Sequence, residues 1–460
     1  MQKKILSTLL LSSILIGVSG CNNDSDSQSK DQLIQQPAIT PATSLNGLAS
    51  EDQINAEKQA LEFINTTQSQ AALKLKAQDL LQIAKKYNTP IDEYNLTLLD
   101  QAAQESAFAG ALSIYNNDKN NEKIISTLAA AHSWFGVNAL GSRTVFDNPD
   151  TTYRTIPLDP NLSYVIKGSA NAKIPLDVNF SLWDQNNQTL SNLATSDLKR
   201  NKDGSFEIYL SKNPAPSNYS NYIELKDNGS SLFIRNTIND WENQQFDKLS
   251  IVRADGSKRT VTVTKDDQYQ RFSTSLSSAG PAYNYYYQLA NAPAVNTLPA
   301  ITLGGSQGRL STQAGTYSPF AIADDEALIF TTSLAEANYF ILPVYNQWFI
   351  TTDYINKTQT LNNAQSVANA DGSYTYVISK NDPGVYNWVD TDGLNRGYLN
   401  PRWQGLSGQA NQTLPTASIK LVKLADLKNE LPTGTKFVSK QEREQQLKIR
   451  KQSYNLRYTP

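Results

Sequence analysis

The chain has 460 residues, of which 39% are hydrophobic and 18% charged, with a mean hydropathy of −0.47. This length exceeds one ordinary hydrophobic core, and the hydropathy excludes a protein that crosses the membrane many times. The net charge of −2, the single Cys and the single His exclude a strongly basic nucleic-acid-binding surface, a disulfide framework and any metal site that needs two histidines.

Residues 1–20 have the pattern of a bacterial secretion signal. Lys3 and Lys4 precede an apolar stretch at residues 5–18, which is short for a transmembrane helix. The stretch ends in Val18-Ser19-Gly20-Cys21, which resembles the lipobox of bacterial lipoproteins. That resemblance implies cleavage before Cys21, acylation of this cysteine and a lipid membrane as partner. Because Asn22 and not Asp follows, it also implies a place in the cell envelope at the outer rather than the inner membrane.

The next two segments differ in composition. Residues 21–49 are rich in Asn, Asp, Ser, Gln and Pro and predict a disordered tether, since few large apolar side chains are present to offset the entropy of ordering. Residues 50–135 predict a helical region. Ser50 and Gln53 form a capping-box pattern, and apolar residues recur at helical spacing in 71–87, 95–115 and 122–131. We therefore expect four helices before residue 136.

After residue 136 the apolar period changes from 3.6 to 2, which is typical of β-strands. Leu176, Val178, Phe180 and Leu182 alternate with polar residues, and further strands are predicted at 328–332, 340–344, 348–352 and 374–378. We expect an α+β protein with antiparallel β modules at 136–270 and 300–435. A connector at 271–299 contains a tyrosine run that forms a helix or a packed loop. Ser439 and Glu442 predict a capped helix in the C-terminal segment 436–460.

Several motifs carry a family resemblance. The front half contains Asp147-Asn148-Pro149-Asp150-Thr151-Thr152-Tyr153-Arg154, Asp203-Gly204-Ser205-Phe206-Glu207-Ile208 and Arg235 with Asp240-Trp241. The back half contains Asp325-Glu326-Ala327-Leu328, Asn346-Gln347-Trp348, Asp371-Gly372, Asp382-Pro383-Gly384-Val385-Tyr386-Asn387-Trp388-Val389-Asp390-Thr391 and Arg402-Trp403-Gln404. Together, across residues 135–457, they resemble the uncharacterised bacterial family catalogued as domain of unknown function 1214, often paired with the 1254 domain. The resemblance implies two β-sandwich, jelly-roll-like modules and brings no established activity.

The candidate site centres on residues 379–405, where carboxylates, arginines, amides and tryptophans are unusually dense. If the two modules face each other, a polar cleft would be formed by Asp150, Tyr153, Arg154, Arg235, Asn387, Trp388, Asp390, Arg402 and Trp403. The alternative is that buried Arg–Asp pairs pin the modules together and the tryptophans belong to the core.

Three functions remain open. The leading hypothesis is an envelope lipoprotein that binds a polar or amphipathic small ligand in a cleft near the 382–404 loop. The second is an envelope hydrolase or lyase, with Asp390 or Asp150 as base and Arg402 or Arg235 as anion stabiliser. The third is a structural or interaction protein. No nucleic acid is expected as a partner, because the chain lacks a basic surface.

Two further sets of residues have competing interpretations. Asp382, Asp390 and Asp392 are oxygen ligands of the kind that Ca²⁺ takes, but their spacing is not that of an EF-hand, and turns require the same residues. No other cofactor is expected. His132 follows an apolar segment, where a histidine is a helix C-terminal cap or packing residue, or a general base.

Overall fold

The computed structural model describes residues 46–170, 173–305, 309–409 and 411–459. The predicted signal segment, Cys21 and most of the tether lie outside the described residues. Residues 46–49, predicted as the end of the tether, instead pack onto the body: Ala49 is buried, and Asn46 Nδ2 donates to the Arg457 carbonyl. Within the part of the chain that is described, no helix is both long enough and apolar enough to cross a membrane.

Four helices begin the described chain: α1 (Glu51–Ile64), α2 (Thr67–Lys86), α3 (Glu93–Thr97) and α4 (Leu99–Tyr115). Ser50 caps α1 as predicted, because its Oγ accepts the Gln53 N–H at 3.0 Å. The helix predicted at 122–131 is wrong. Residues 125–127 form strand β1 (Ile125–Thr127), which pairs with β4 (Thr151–Pro157). The few apolar residues in this segment fit both the helical and the strand period, so pairing with β4 determines that it is a strand.

The first β module consists of two sheets that share one core. Their strand orders are β1-β4-β10-β6-β7 and β11-β5-β8-β9. The predicted alternation is confirmed, since Val178, Phe180 and Leu182 all enter the core between the sheets. A separate hairpin, β2 (His132–Trp134) and β3 (Val137–Ala139), lies between β1 and β4 in the chain. The remaining strands are β5 (Tyr164–Ser169), β6 (Asp177–Asp184), β7 (Thr189–Ala194), β8 (Phe206–Ser211), β9 (Tyr222–Glu224), β10 (Gly229–Thr237) and β11 (Lys248–Arg253).

The second module repeats this plan with sheets of order β12-β13-β21-β16-β20-β14, with β17 beside β16, and β19-β18-β15-β22. Aromatic and aliphatic side chains from both sheets fill its core, including Phe330, Phe340 and Trp403. Its strands are β12 (Thr302–Leu303), β13 (Gln313–Gly315), β14 (Ser318–Ala321), β15 (Glu326–Ser333), β16 (Tyr339–Tyr345), β17 (Thr360–Asn362), β18 (Tyr374–Ser379), β19 (Trp388–Asp390), β20 (Arg396–Leu399), β21 (Arg402–Gln404) and β22 (Thr416–Lys423).

The two β modules depart from the prediction in two respects. Most neighbouring strands are antiparallel, but β8 pairs with β9, and β18 with β19, in parallel. The strand predicted at 348–352 is wrong, because these residues form a buried loop. Phe349 takes a φ of 60°, outside the β region, and its carbonyl accepts the Phe146 N–H at 2.7 Å. The α+β class is confirmed, and the jelly-roll topology stays a prediction.

Helices also connect and close the modules. The connector contains α5 (Lys265–Leu276) and α6 (Pro281–Ala290), so the tyrosine run is helical, and Tyr283 and Tyr287 are buried against Phe349. After the short α7 (Leu427–Glu430), the chain ends in α8 (Lys440–Asn455), whose predicted capping box is present. All described residues lie in one compact unit, so the two β modules pack directly on each other.

Candidate functional site

Asp150 lies at the contact between the two modules, just before β4. Its Oδ1 accepts the Trp241 Nε1–H at 2.8 Å, within the first module. Its Oδ2 accepts Tyr339 OH at 2.9 Å and Asn362 Nδ2 at 2.7 Å, both from the second module. The side chain is 1% exposed, and burial raises its pKa. Asp150 therefore joins the modules through two hydrogen bonds, accepts a third within the first module, and is closed to solvent.

Three arginines spaced seven residues apart line the buried side of α8 and the turn after it. Arg450 and Arg457 lie over the Trp241 ring, at 4.4 and 4.6 Å from its centroid. Arg443 lies 5.1 Å over Trp388 and pairs with Asp382, with Nε to Oδ2 at 3.0 Å. Sequence reasoning missed this stripe, although a heptad spacing of arginines in a predicted helix was the available signal.

Arg450 is held by the second module as well. Its Nε donates to the Tyr354 carbonyl at 2.7 Å, and its two terminal nitrogens donate to Gln365 Oε1 and Thr360 Oγ1, each at 3.0 Å. Burial lowers its pKa to about 10. Arg450 therefore stays charged at neutral pH while it connects α8, Trp241 and the second module.

A cleft of about 340 Å³ opens beside this arrangement, between α8 and both modules. Its walls combine apolar and polar side chains, and one residue, Tyr386, belongs to the 379–405 stretch. Thr358 belongs to this lining, and its hydroxyl is closed to solvent and has no hydrogen-bond partner in the structure. The lining residues are Asn239, Asp240, Trp241, Glu242, Thr358, Leu361, Ala364, Gln365, Tyr386, Gln446, Ile449, Arg450 and Ser453.

The structure separates the predicted cleft residues of the first module. Tyr153 and Arg235 are direct partners on neighbouring strands, β4 and β10, and share a face. Arg154 faces the other way, is buried, and donates to the Asp247 carbonyl at 2.6 Å. Burial lowers the pKa of both arginines to about 10. None of these three side chains lines the cleft beside α8.

In the second module, Arg402 and Trp403 are both buried. Arg402 donates to the carbonyls of Phe146 and Asp147, at 3.1 and 3.0 Å, and also bonds to Tyr345 OH. Trp403 is in the core, and its Nε1 donates to Thr332 Oγ1 at 3.2 Å. Arg402 therefore holds the segment that leads from the first β hairpin into β4, and it does not pair with Asp390.

The remaining predicted residues hold the 379–405 stretch in shape. Asn387 Nδ2 donates to the Val367 and Thr375 carbonyls at 2.8 and 3.0 Å, and Trp388 Nε1 donates to the Ser379 carbonyl at 3.1 Å. Asp390 Oδ1 accepts the Asp392 N–H at 2.7 Å. Burial, aided by nearby carboxylates, raises the pKa of Asp390 to about 6. Among Asn387, Trp388 and Asp390, Asp390 is therefore the residue whose charge can change with pH.

The predicted calcium ligands have other partners. Asp382 pairs with Arg443, while Asp392 contacts Lys357 Nζ and adopts a left-handed φ of 54°. In the part of the chain that the structure describes, no group of three or more His, Cys, Asp or Glu residues could hold a metal ion. The calcium site therefore gains no support from the positions of these carboxylates.

His132 has a partner that no sequence pattern indicated. It lies on β2 and not at a helix end, so the predicted C-terminal cap is wrong. Its Nε2 lies 3.3 Å from Glu57 Oε1, and its Nδ1 lies 2.8 Å from the Ala130 carbonyl. Its ring stacks on Tyr458 at 4.3 Å. The adjoining cavity of about 30 Å³ has room for water only, so this pair packs the core.

Comparisons with known proteins found a family model that matches part of the chain and solved structures that resemble it. The model of the family described as "Protein of unknown function (DUF1214)" matches residues 176–237, which run from β6 to β10. This segment includes the Asp203–Ile208 motif and Arg235 and stops before the 379–405 stretch. No curated protein matches the chain.

The fold resembles that of a solved structure. An uncharacterised protein from Burkholderia cenocepacia is 20% identical, with a TM-score of 0.65, over 80% of this chain and 99% of that chain. The VPA0106 protein from Vibrio parahaemolyticus is 13% identical with a TM-score of 0.42, over 70% and 99%. The resemblance to domain of unknown function 1214 is thus confirmed by the family match at residues 176–237, within a fold that the Burkholderia protein shares.

Proposed function

We propose that this protein binds a small polar or amphipathic ligand in the cleft between α8 and the two β modules. The observation that carries the proposal is the lining of the cleft, which places amide and apolar side chains beside Thr358, a residue whose buried hydroxyl has no partner. A buried polar group left unbonded costs about 1–3 kcal/mol, and rotation of the Thr358 side chain toward the cleft would let a ligand hydroxyl or carbonyl remove that cost. The cleft volume of about 340 Å³ also suits a small molecule.

The lining supports the mixed character of the ligand. Leu361, Ala364 and Ile449 offer apolar surface, while Asn239, Gln365 and Gln446 offer amide groups. The Trp241 ring already has two guanidinium groups over it, those of Arg450 and Arg457, at 4.4 and 4.6 Å from its centroid. A flat ring stacked on Trp241 is therefore not part of the proposal.

Thr358→Val tests the site. We expect a thermal-shift screen of the full chain against sugars, fatty acids, sterols and Ca²⁺ to find one class that raises the melting temperature. The valine variant should fold normally and lose that shift, because it lacks the hydroxyl. Thr391→Val is the matched control, since Thr391 Oγ1 is also buried without a partner but does not line the cleft. A shift that survives in Thr358→Val, or no shift with any class, would contradict the proposal.

We also propose that the body is anchored in the cell envelope, at the outer membrane, through an acylated Cys21. The lipobox-like segment before Cys21 supports this. Intact-mass measurement of protein extracted from membranes should find a chain that begins at residue 21 and carries acyl groups. Cys21→Ala should leave the protein without them and release it from the membrane fraction. An unmodified mature chain in the parent protein would refute the anchor.

The enzyme alternative draws no support from Asp150 or Arg402. It requires Asp150 or Asp390 to act as base beside Arg402 or Arg235. Asp150 is closed to solvent by three donors, and Arg402 is bonded to carbonyls and a tyrosine hydroxyl. Binding is therefore the function that this geometry favours.

A further inference from the structure

A second concave surface lies on the first module, over the outer face of the sheet that contains β5, β8 and β11. This groove has a volume of about 580 Å³, and its walls are the segments 199–201 and 218–221. The volume is within the range of ligand pockets. The groove shares no lining residue with the cleft beside α8.

The floor of the groove is cationic. Lys167 stands opposite Glu207 on one side and Ser250 on the other, and Lys248 stands opposite Ser169, so all five side chains share one face of the sheet. Lys199 and Arg200 add two cations at the wall. Glu207 is the one acidic side chain among the described residues that line the groove. This excess of cations contrasts with the net charge of −2 of the whole chain.

The cations differ in their freedom to meet a ligand. Arg200 is committed, because its two terminal nitrogens each bond to Asp247 at 2.8 Å and it lies 4.6 Å over the Phe206 ring. Lys167 pairs with Glu207 at 3.1 Å, but the two side chains are 59% and 46% exposed. Such an exposed ion pair contributes little, so an incoming anion can displace it. Lys199 is exposed to solvent.

We propose that this groove binds an acidic oligosaccharide. Its lysines lie on neighbouring strands, which are about 4.8 Å apart, and on the wall of the groove. They do not converge on one point, so they suit several carboxylates along a chain better than a single phosphate. Ser169, Ser205 and Asn218 can bond to sugar hydroxyls. Tyr219, half-buried and 4.9 Å from Tyr209, offers a ring edge or face to a sugar.

Calorimetry of the full chain with tetragalacturonate tests the proposal. Binding should be saturable at low ionic strength and weaken as salt is added. The double variant Lys167→Gln with Lys199→Gln should lower the affinity roughly tenfold, through the loss of two ion pairs. Glu207→Gln should raise it, because the variant frees Lys167. The neutral maltotetraose should not bind.

A matched control separates the groove from general charge attraction. Lys58→Gln with Lys74→Gln removes two exposed lysines from α1 and α2 and changes the net charge equally. These substitutions should leave the affinity unchanged. The proposal would be overturned by no tetragalacturonate binding, by equal weakening in the control pair, or by inorganic phosphate binding more tightly through Lys167 and Lys199.

Discussion

At the scale of single residues, the same side-chain type has different consequences in different surroundings. Asp150 and Asp390 are both buried carboxylates, but Asp150 receives three side-chain donors and Asp390 receives one backbone N–H. Asp382, by contrast, is paired with Arg443. The side chains of the motif Asp-Pro-Gly-Val-Tyr-Asn-Trp-Val-Asp-Thr therefore mainly hold the local backbone in place. Asp390 is the member whose protonation should be visible in solution.

The raised pKa of Asp390 predicts a pH-dependent loss of stability. Because the folded-state pKa is about 6 and the ordinary value is 3.8, the neutral carboxyl favours the fold. This contribution is fully present below about pH 4 and is lost as the pH rises through about 6. Asp390→Asn keeps an oxygen for the Asp392 N–H and never ionises. The variant should therefore be more stable than the parent at pH 7.5, by up to about 3 kcal/mol.

Urea unfolding at pH 4 and at pH 7.5 measures the effect. The gain of Asp390→Asn should be large at pH 7.5 and close to zero at pH 4. The exposed Asp197→Asn serves as control and should change neither value. An equal gain at both pH values would show that the effect does not arise from ionisation of Asp390.

At the scale of the element, α8 is unusual because its buried side carries arginines. Its cap was readable from Ser439 and Glu442, and the structure confirms it. The face of the helix that packs inward could not be read from the sequence, because Ile449 is 40% exposed while Arg443 and Arg450 are buried. A pattern of apolar residues would have placed the wrong face inward. The guanidinium groups of these arginines lie over tryptophan rings of both modules, so buried arginines take the place of the apolar residues that usually face inward.

The cap of α8 should contribute measurably to stability. Ser439 Oγ accepts the Glu442 N–H at 3.3 Å, and the Glu442 carboxylate accepts the Ser439 N–H at 2.7 Å. Ser439→Ala should lower the free energy of unfolding by about 1 kcal/mol. Ser439→Asp, which retains a capping oxygen, should preserve most of it. Chemical denaturation of the parent and the two variants measures these differences. An alanine variant as stable as the parent would argue against a contribution of the cap.

At the scale of the whole molecule, α8 contacts both modules. Arg443 contacts Asp382 and Trp388 in the second module, while Arg450 and Arg457 contact Trp241 in the first. The cleft proposed as the ligand site exists because the helix crosses this junction. Ligand binding there would therefore stabilise the helix and both modules together.

Removal of the helix should weaken both modules. A chain that ends at Val438 uncovers Trp241 and Trp388, at a cost on the order of 5 kcal/mol. Hydrogen exchange should become faster in β4 and β6 as well as in β18 and β19. A chain that ends at Tyr458 retains the helix and its ring contacts, and should exchange like the parent. Faster exchange confined to one module would contradict the coupling.

Local patterns in the sequence predicted α1, α2 and α4, the period-2 strands and the caps at Ser50 and Ser439, while the single helix predicted at 95–115 is divided at Leu98 into α3 and α4. These features depend on residues within a few positions of each other. Segments 122–131 and 348–352 were predicted wrongly because short apolar runs fit several structures, and distant pairing selected one.

The site depended on tertiary structure. Thr358 carries no sequence signal, and it lines a cleft only because four distant parts of the chain meet there: 239–242, 358–365, Tyr386 and 446–453. Likewise Glu57 meets His132 across 75 residues, and Asp150 meets Asn362 across 212. Composition and periodicity decide which faces are apolar, but only packing decides which polar groups meet, because those contacts are specific to one arrangement of the elements.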